Sequence, residues 1–173
     1  YTVGLSYKYH GLGQLSVFVL MGLLMPLGTY CVLTGEIFSL DVLLLGLPNA
    51  FMITAVLAGN EMRDYWEDKK ADAGTLLGHF EYSTGMKVYL GESLISFVIL
   101  IVLVVAGVAP LGCLLALITL YDAYVLYQNS KQAPTDPHAS FMLVPLCFKL
   151  NWHFGVMLVI GYILDMNIIP MVI

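Results

Sequence analysis

Charge is what this sequence has least of. Asp, Glu, Lys and Arg make up only 11% of its 173 residues, while 60% are hydrophobic. A soluble domain of this length carries about 25% charged residues on average, so an ordinary water-soluble fold is excluded. Cysteine is scarce as well. Cys31, Cys113 and Cys147 are odd in number, sit in apolar runs and lack metal-ligand spacing. They read as buried free thiols, not as a disulfide framework or a zinc site. His10, His79, His138 and His153 stand far apart and form no metal motif. No basic face is present to meet nucleic acid. The net charge of −5 says little about partners, because the charges gather between the apolar runs. The chain begins at Tyr1 and no signal peptide precedes its first apolar run, so it reads as the later part of a longer protein.

What is present is oil in long stretches. Near-continuous apolar runs of about 20 residues are long enough to cross a bilayer as helices. The expected fold is all-α, a polytopic transmembrane bundle of about five spans. The spans fall near Leu15–Leu33, Leu40–Gly59, Val88–Val108, Leu111–Tyr127 and Trp152–Val172. Pro26 predicts a kink in the first span. Ala55, Ala58 and Gly59 give the second a small-residue face for close helix contact. Ala109–Gly112 has room only for a tight turn. Phe141–Lys149 is apolar but too short to span, and reads as an interfacial piece. Trp66, Phe80 and Tyr82 are candidate interface anchors. Glu92 lies one turn inside the third span. Asp122 lies inside the fourth, as either a functional acid or a snorkelling one bonded to tyrosine.

The cations set the orientation. Lys8, Arg63, Lys69, Lys70, Lys87, Lys131 and Lys149 all fall on one side of a five-span arrangement. The positive-inside rule makes that side cytoplasmic. The expectation is a multi-pass integral protein of a bacterial or archaeal cytoplasmic membrane.

One polar stretch interrupts the oil. Asn60–Leu76 reads NEMRDYWEDKKADAGTL. Asn60, Asp64, Asp68 and Asp72 recur every fourth residue, which on a helix aligns them on one face about 6 Å apart. Stacked carboxylates repel unless something neutralises them. Mg²⁺ does so, being held by one or two carboxylates plus substrate phosphates. Two readings fit this spacing. One is a Mg²⁺–diphosphate site with Asp64, Asp68 and Asp72 toward the metal. The other is a solvated loop whose acids pair with Arg63 and the lysines, Arg63 reaching Glu67 at i+4. Asp64 and Asp68 at the bilayer centre would cost about 3 kcal/mol each, so they belong at the surface or in a wet cavity. Glu61 and Glu67 point off this face and read as solvated or paired.

The pattern Asn60-x-x-Arg63-Asp64-x-x-x-Asp68, ending in Thr75-Leu76 after a span, resembles the second aspartate-rich motif of the UbiA superfamily of intramembrane prenyltransferases. Tyr1-Thr2-Val3-Gly4, Lys8-Tyr9-x-Gly11-Leu12-Gly13, Val17-Phe18, Leu27-Gly28-Thr29-Tyr30 and Lys149-Leu150-Asn151 resemble its 1,4-dihydroxy-2-naphthoate polyprenyltransferases of menaquinone synthesis. The resemblance implies about nine helices, two facing aspartate-rich motifs, bound Mg²⁺, a polyprenyl diphosphate donor and an aromatic acceptor. This chain would supply the last five helices and the second motif, with the N-terminal helices and first motif missing. Asp64, Asp68 and Arg63 would be catalytic. Asn60, Lys8, Lys69, Lys70, Tyr9 and Tyr65 would contact substrate. The chain departs from the pattern at Asp72-Ala73-Gly74, where the family usually carries a Gly and one or two cations. The competing class is a non-catalytic cation-binding or transport module.

Overall fold

The computed structural model describes residues 11–168, and every regular element among them is helical. Five helices are long and apolar enough to cross a membrane. They are α1 (Gly13–Thr34), α2 (Leu40–Arg63), α4 (Tyr82–Val105), α5 (Leu111–Gln132) and α6 (Pro137–Ile168). A six-residue helix, α3 (Tyr65–Lys70), and a single 3₁₀ turn at Leu77–His79 lie between α2 and α4. The chain is a multi-pass membrane bundle.

Helix α2 is the centre, with α1, α4 and α6 packed around it and α5 set against α6 and α4. Small residues allow this. Ala50, Ala55, Ala58 and Gly59 are all buried on α2, so neighbouring backbones approach closely. A Cβ added at Gly22 of α1 would run into Ala50. Pro26 lacks an amide, and its ring excludes the carbonyl four residues back, that of Gly22. Just before Pro26, Phe18–Leu24 is wound as a wide π-helix. Between α4 and α6, the buried Tyr89 hydroxyl donates to the Leu143 carbonyl at 2.8 Å. Below it, Phe97 and Phe154 meet edge to face at 5.2 Å between ring centroids.

Helix α5 opens unusually. Leu111–Thr119 is wound as a 3₁₀-helix, and its buried residues are Cys113, Ala116 and Thr119. Their spacing of three is the 3₁₀ repeat, so these small side chains form one straight seam. Gly112, beside this seam, touches Gly161 of α6. A Cβ on either glycine would collide with the other's backbone.

The last span corrects the sequence reading. Phe141–Lys149 is no separate interfacial piece and the span does not begin at Trp152; both belong to the 32-residue α6. Asp136 starts it, its Oδ1 accepting from the His138 amide at 2.9 Å, with Pro137 in the first turn, where its missing amide costs nothing. At 1.5 Å per residue α6 is about 48 Å long, well beyond a hydrocarbon core of about 30 Å. Lys149 therefore lies within a helix and not in a loop. The expected end near Val172 lies outside the described residues. Helices α2 and α4 are also longer than expected, reaching Arg63 and beginning at Tyr82.

Candidate functional site

The polar segment leaves the end of the central helix. Helix α2 stops at Arg63, and Asp64 adopts φ −93°, ψ 9°, which bends the chain before α3. The bend keeps part of the acidic row in register. Asp64 N donates to Asn60 O at 3.0 Å, and Asp68 N donates to Asp64 O at 2.8 Å. Asn60, Asp64 and Asp68 are thus successive rungs of one i→i−4 ladder.

The fourth rung fails. Helix α3 ends at Lys70, and Asp72 sits at φ +52° with its amide turned to Lys69 O at 3.4 Å. Asp tolerates this left-handed conformation better than most residues. The expected four-step face is therefore a three-step one, and Asp72 is exposed outside it.

Arg63 takes a partner other than Glu67. Its Nε and Nη2 both reach the Asp64 carboxylate at 2.6 Å. Both side chains are about one-third exposed, 32% and 37%. A pair so wet is worth roughly 0–1 kcal/mol, so an incoming anion opens it at small cost.

Tyr65 is buried and is not presented to a ligand. Its hydroxyl donates to the Phe80 carbonyl at 2.8 Å. Its ring meets Trp66 and Tyr82 edge to face at 4.9 and 5.2 Å, and Trp66 stacks flat on Tyr82 at 5.8 Å. This aromatic cluster fastens α3 to the start of α4. Lys69 lies 4.9 Å over the Tyr65 ring, a cation–π contact, while Lys70 is exposed. Trp66 is 60% exposed, as an interface anchor should be. Lys8 and Tyr9 lie outside the described residues.

Of the two readings of Glu61, solvated or paired, the structure takes the second, and inside the bundle. It is 7% exposed. Its Oε2 accepts from Gln14 Nε2 and from the Leu77 amide, each at 3.0 Å. Nothing local announces this, because the partners are 47 and 16 residues away.

Among the described residues, no three His, Cys, Asp or Glu side chains converge to hold a metal alone. Asp64 and Asp68 offer two carboxylates on adjacent turns. That donor set suits a hard cation whose remaining oxygens come from water and phosphate. About 22 Å along α2 from Asp64, counted as 15 residues at 1.5 Å, lies Asn49. It borders a cleft of about 460 Å³ between α2 and α6 that is otherwise lined mainly by apolar groups, including Trp152, Val156, Val159 and Ile160. Asn151 faces the same cleft.

No solved structure matches the chain. Over 77 residues it is 43% identical to a protein of Haemophilus influenzae named 1,4-dihydroxy-2-naphthoate octaprenyltransferase. That stretch covers 44% of this chain and 25% of the relative. The sequence model of the UbiA prenyltransferase family matches residues 1–154, which takes in the central helix, the acidic rungs and most of the bundle. The chain belongs to the UbiA prenyltransferase family.

Proposed function

We propose that this chain forms the second diphosphate-binding half of an intramembrane prenyltransferase. The reaction is transfer of a polyprenyl group from its diphosphate to an aromatic acceptor, with 1,4-dihydroxy-2-naphthoate the favoured acceptor, in quinone synthesis. The observation that carries this is the Asn60–Asp64–Asp68 ladder at the end of the central helix, with Arg63 on Asp64. The likeness to the octaprenyltransferase supports the choice of acceptor. The facing half of the site is assigned to helices outside this sequence.

Asp64 and Asp68 would hold Mg²⁺, which when bound supplies positive charge to the leaving diphosphate. Arg63 adds a guanidinium suited to phosphate, released from Asp64 at small cost. Asn60 turns its Nδ2 to the Val56 carbonyl at 3.2 Å, which orients its amide on the same row. The departing diphosphate takes the C–O electron pair, the electron-rich ring attacks the allylic carbon left behind, and the ring regains aromaticity by losing a proton or, where the attacked carbon bears the carboxylate, CO₂. With the facing helices in place, apolar side chains would keep water from that carbon. The cleft beside Asn49 and Asn151 lies at a distance spanned by several isoprene units and would take part of the chain. The basic ends at Arg63, Lys87 and Lys131 are assigned to the cytoplasmic side.

The test is mass spectrometry of lipid products after the full-length protein meets dihydroxynaphthoate, a polyprenyl diphosphate and Mg²⁺. A prenylated naphthoate derivative that vanishes with EDTA and returns with Mg²⁺ is expected. No product, or product that persists in EDTA, overturns the proposal.

A further inference from the structure

The acidic segment is fastened at both ends to the same helix. It leaves α2 through the hydrogen bond from Asp64 N to Asn60 O, at 3.0 Å. It returns where the Leu77 amide donates to Glu61, one residue after Asn60. The same carboxylate oxygen accepts from Gln14, which is 3% exposed and lies in the first turn of α1. Beside it, Gly11 N donates to Gly74 O at 2.8 Å, a second stitch between the lead-in to α1 and the returning loop.

One buried carboxylate thus joins three pieces: the start of α1, the end of α2 and the far end of the loop that carries Asp64 and Asp68. A carboxylate is well suited to this. It has no proton to donate when ionised, and one oxygen can accept from two N–H groups at once. Hydrogen bonds to a charged group are about twice as strong as neutral ones. Without the stitch, the returning loop would keep the Gly11–Gly74 bond and the Tyr65 contacts to Phe80 and Tyr82 but lose its polar tie to α2, and residues around Leu77 would be freer to move.

We propose that Glu61 is a positioning residue for the diphosphate site, closing the acidic loop onto α2 and onto the lead-in to α1. This rests on the functional reading above. Glu61 touches neither metal nor substrate. It sets where Asp68 and the loop beyond it sit relative to Asp64, and so how tightly the metal–diphosphate pair is held.

The experiment uses the full-length protein and two readouts. Amide hydrogen exchange over residues 71–78 reports the stitch itself, and steady-state kinetics report its effect. Glu61→Leu is expected to speed exchange there about tenfold or more. It should also raise the KM for prenyl diphosphate about tenfold, with kcat within about threefold, since binding geometry is what it removes. Glu61→Gln keeps an oxygen able to accept both bonds and should recover both quantities to within about threefold. Unchanged exchange over 71–78 in Glu61→Leu, or a fall in kcat with no change in KM, overturns the proposal. Should Glu61→Leu fail to fold, Gln14→Leu removes one donor and must still speed exchange over 71–78; no change there overturns it equally. A wild-type protein without transfer activity would refute the functional reading and leave the exchange result standing.

Discussion

His153 Nδ1 lies 2.6 Å from Asp122 Oδ2, across the contact between α6 and α5. Lys149, one turn earlier on α6, reaches the other carboxylate oxygen at 3.1 Å. Asp122 is 11% exposed, so its charge is compensated by two partners on one helix face. Asp122→Ala should lower the stability of the purified protein by about 1–3 kcal/mol, the range for charge-assisted bonds that are partly wet. Thermal unfolding in detergent checks this. An unchanged Tm would mean that the two helices are held by packing alone.

The acidic row separates its members. Asp64→Asn and Asp68→Asn should each reduce prenyl transfer about a hundredfold or more, as loss of a charge-stabilising group does elsewhere. Asp72→Asn should stay within about threefold, because Asp72 has left the row. Transfer rates of the three variants, each shown to insert in membranes, decide it. Equal losses at all three positions would restore the four-step ladder.

Tyr65 holds the loop through its hydroxyl and its ring. Tyr65→Phe should cost about 0.5–1.5 kcal/mol. Tyr65→Ala should cost about 3–5 kcal/mol as a large buried ring is lost. The exposed Lys69 and Lys70 offer a direct assay. Trypsin should cut there faster in Tyr65→Ala than in the wild type, and equal rates would remove the anchoring role.

Gly161→Ala places a methyl against the Gly112 backbone. Overpacking of this kind costs about 1–3 kcal/mol, and backbone cannot move aside as a side chain can. A Tm within a degree of wild type would contradict the close crossing.

The bundle was legible in the sequence because membrane spans are written in uninterrupted hydrophobicity, which needs no tertiary information. The five spans and the tight turn before Leu111 follow from that signal. The length of α6 did not, because Pro145 and Lys149 look like breaks when read locally, whereas a helix among neighbours tolerates both. The 3₁₀ winding of Leu111–Thr119 was hidden too, since a uniformly apolar run carries no periodicity. At the site, the spacing of Asn60, Asp64 and Asp68 showed itself, but where the row stops did not. Asp72 turns away because of a local left-handed residue, and Tyr65 turns inward because Phe80 and Tyr82 wait for it. Glu61 is paired, as one of its two readings has it, but its burial and its partners were not legible: Gln14 and Leu77 are distant in sequence and close only in the fold.

The meeting of Gly112 and Gly161 also makes α6 a lever with a fixed fulcrum. From Gly161 back to Pro137 the arm runs 24 residues, about 36 Å. A tilt of about 10° at the crossing would swing the far tip by about 6 Å. The two glycines thereby set the aim of Lys149 and His153 on Asp122 from further along the helix, and Gly161 directly follows the stretch, Asn151 to Ile160, that lines the cleft facing Asn49.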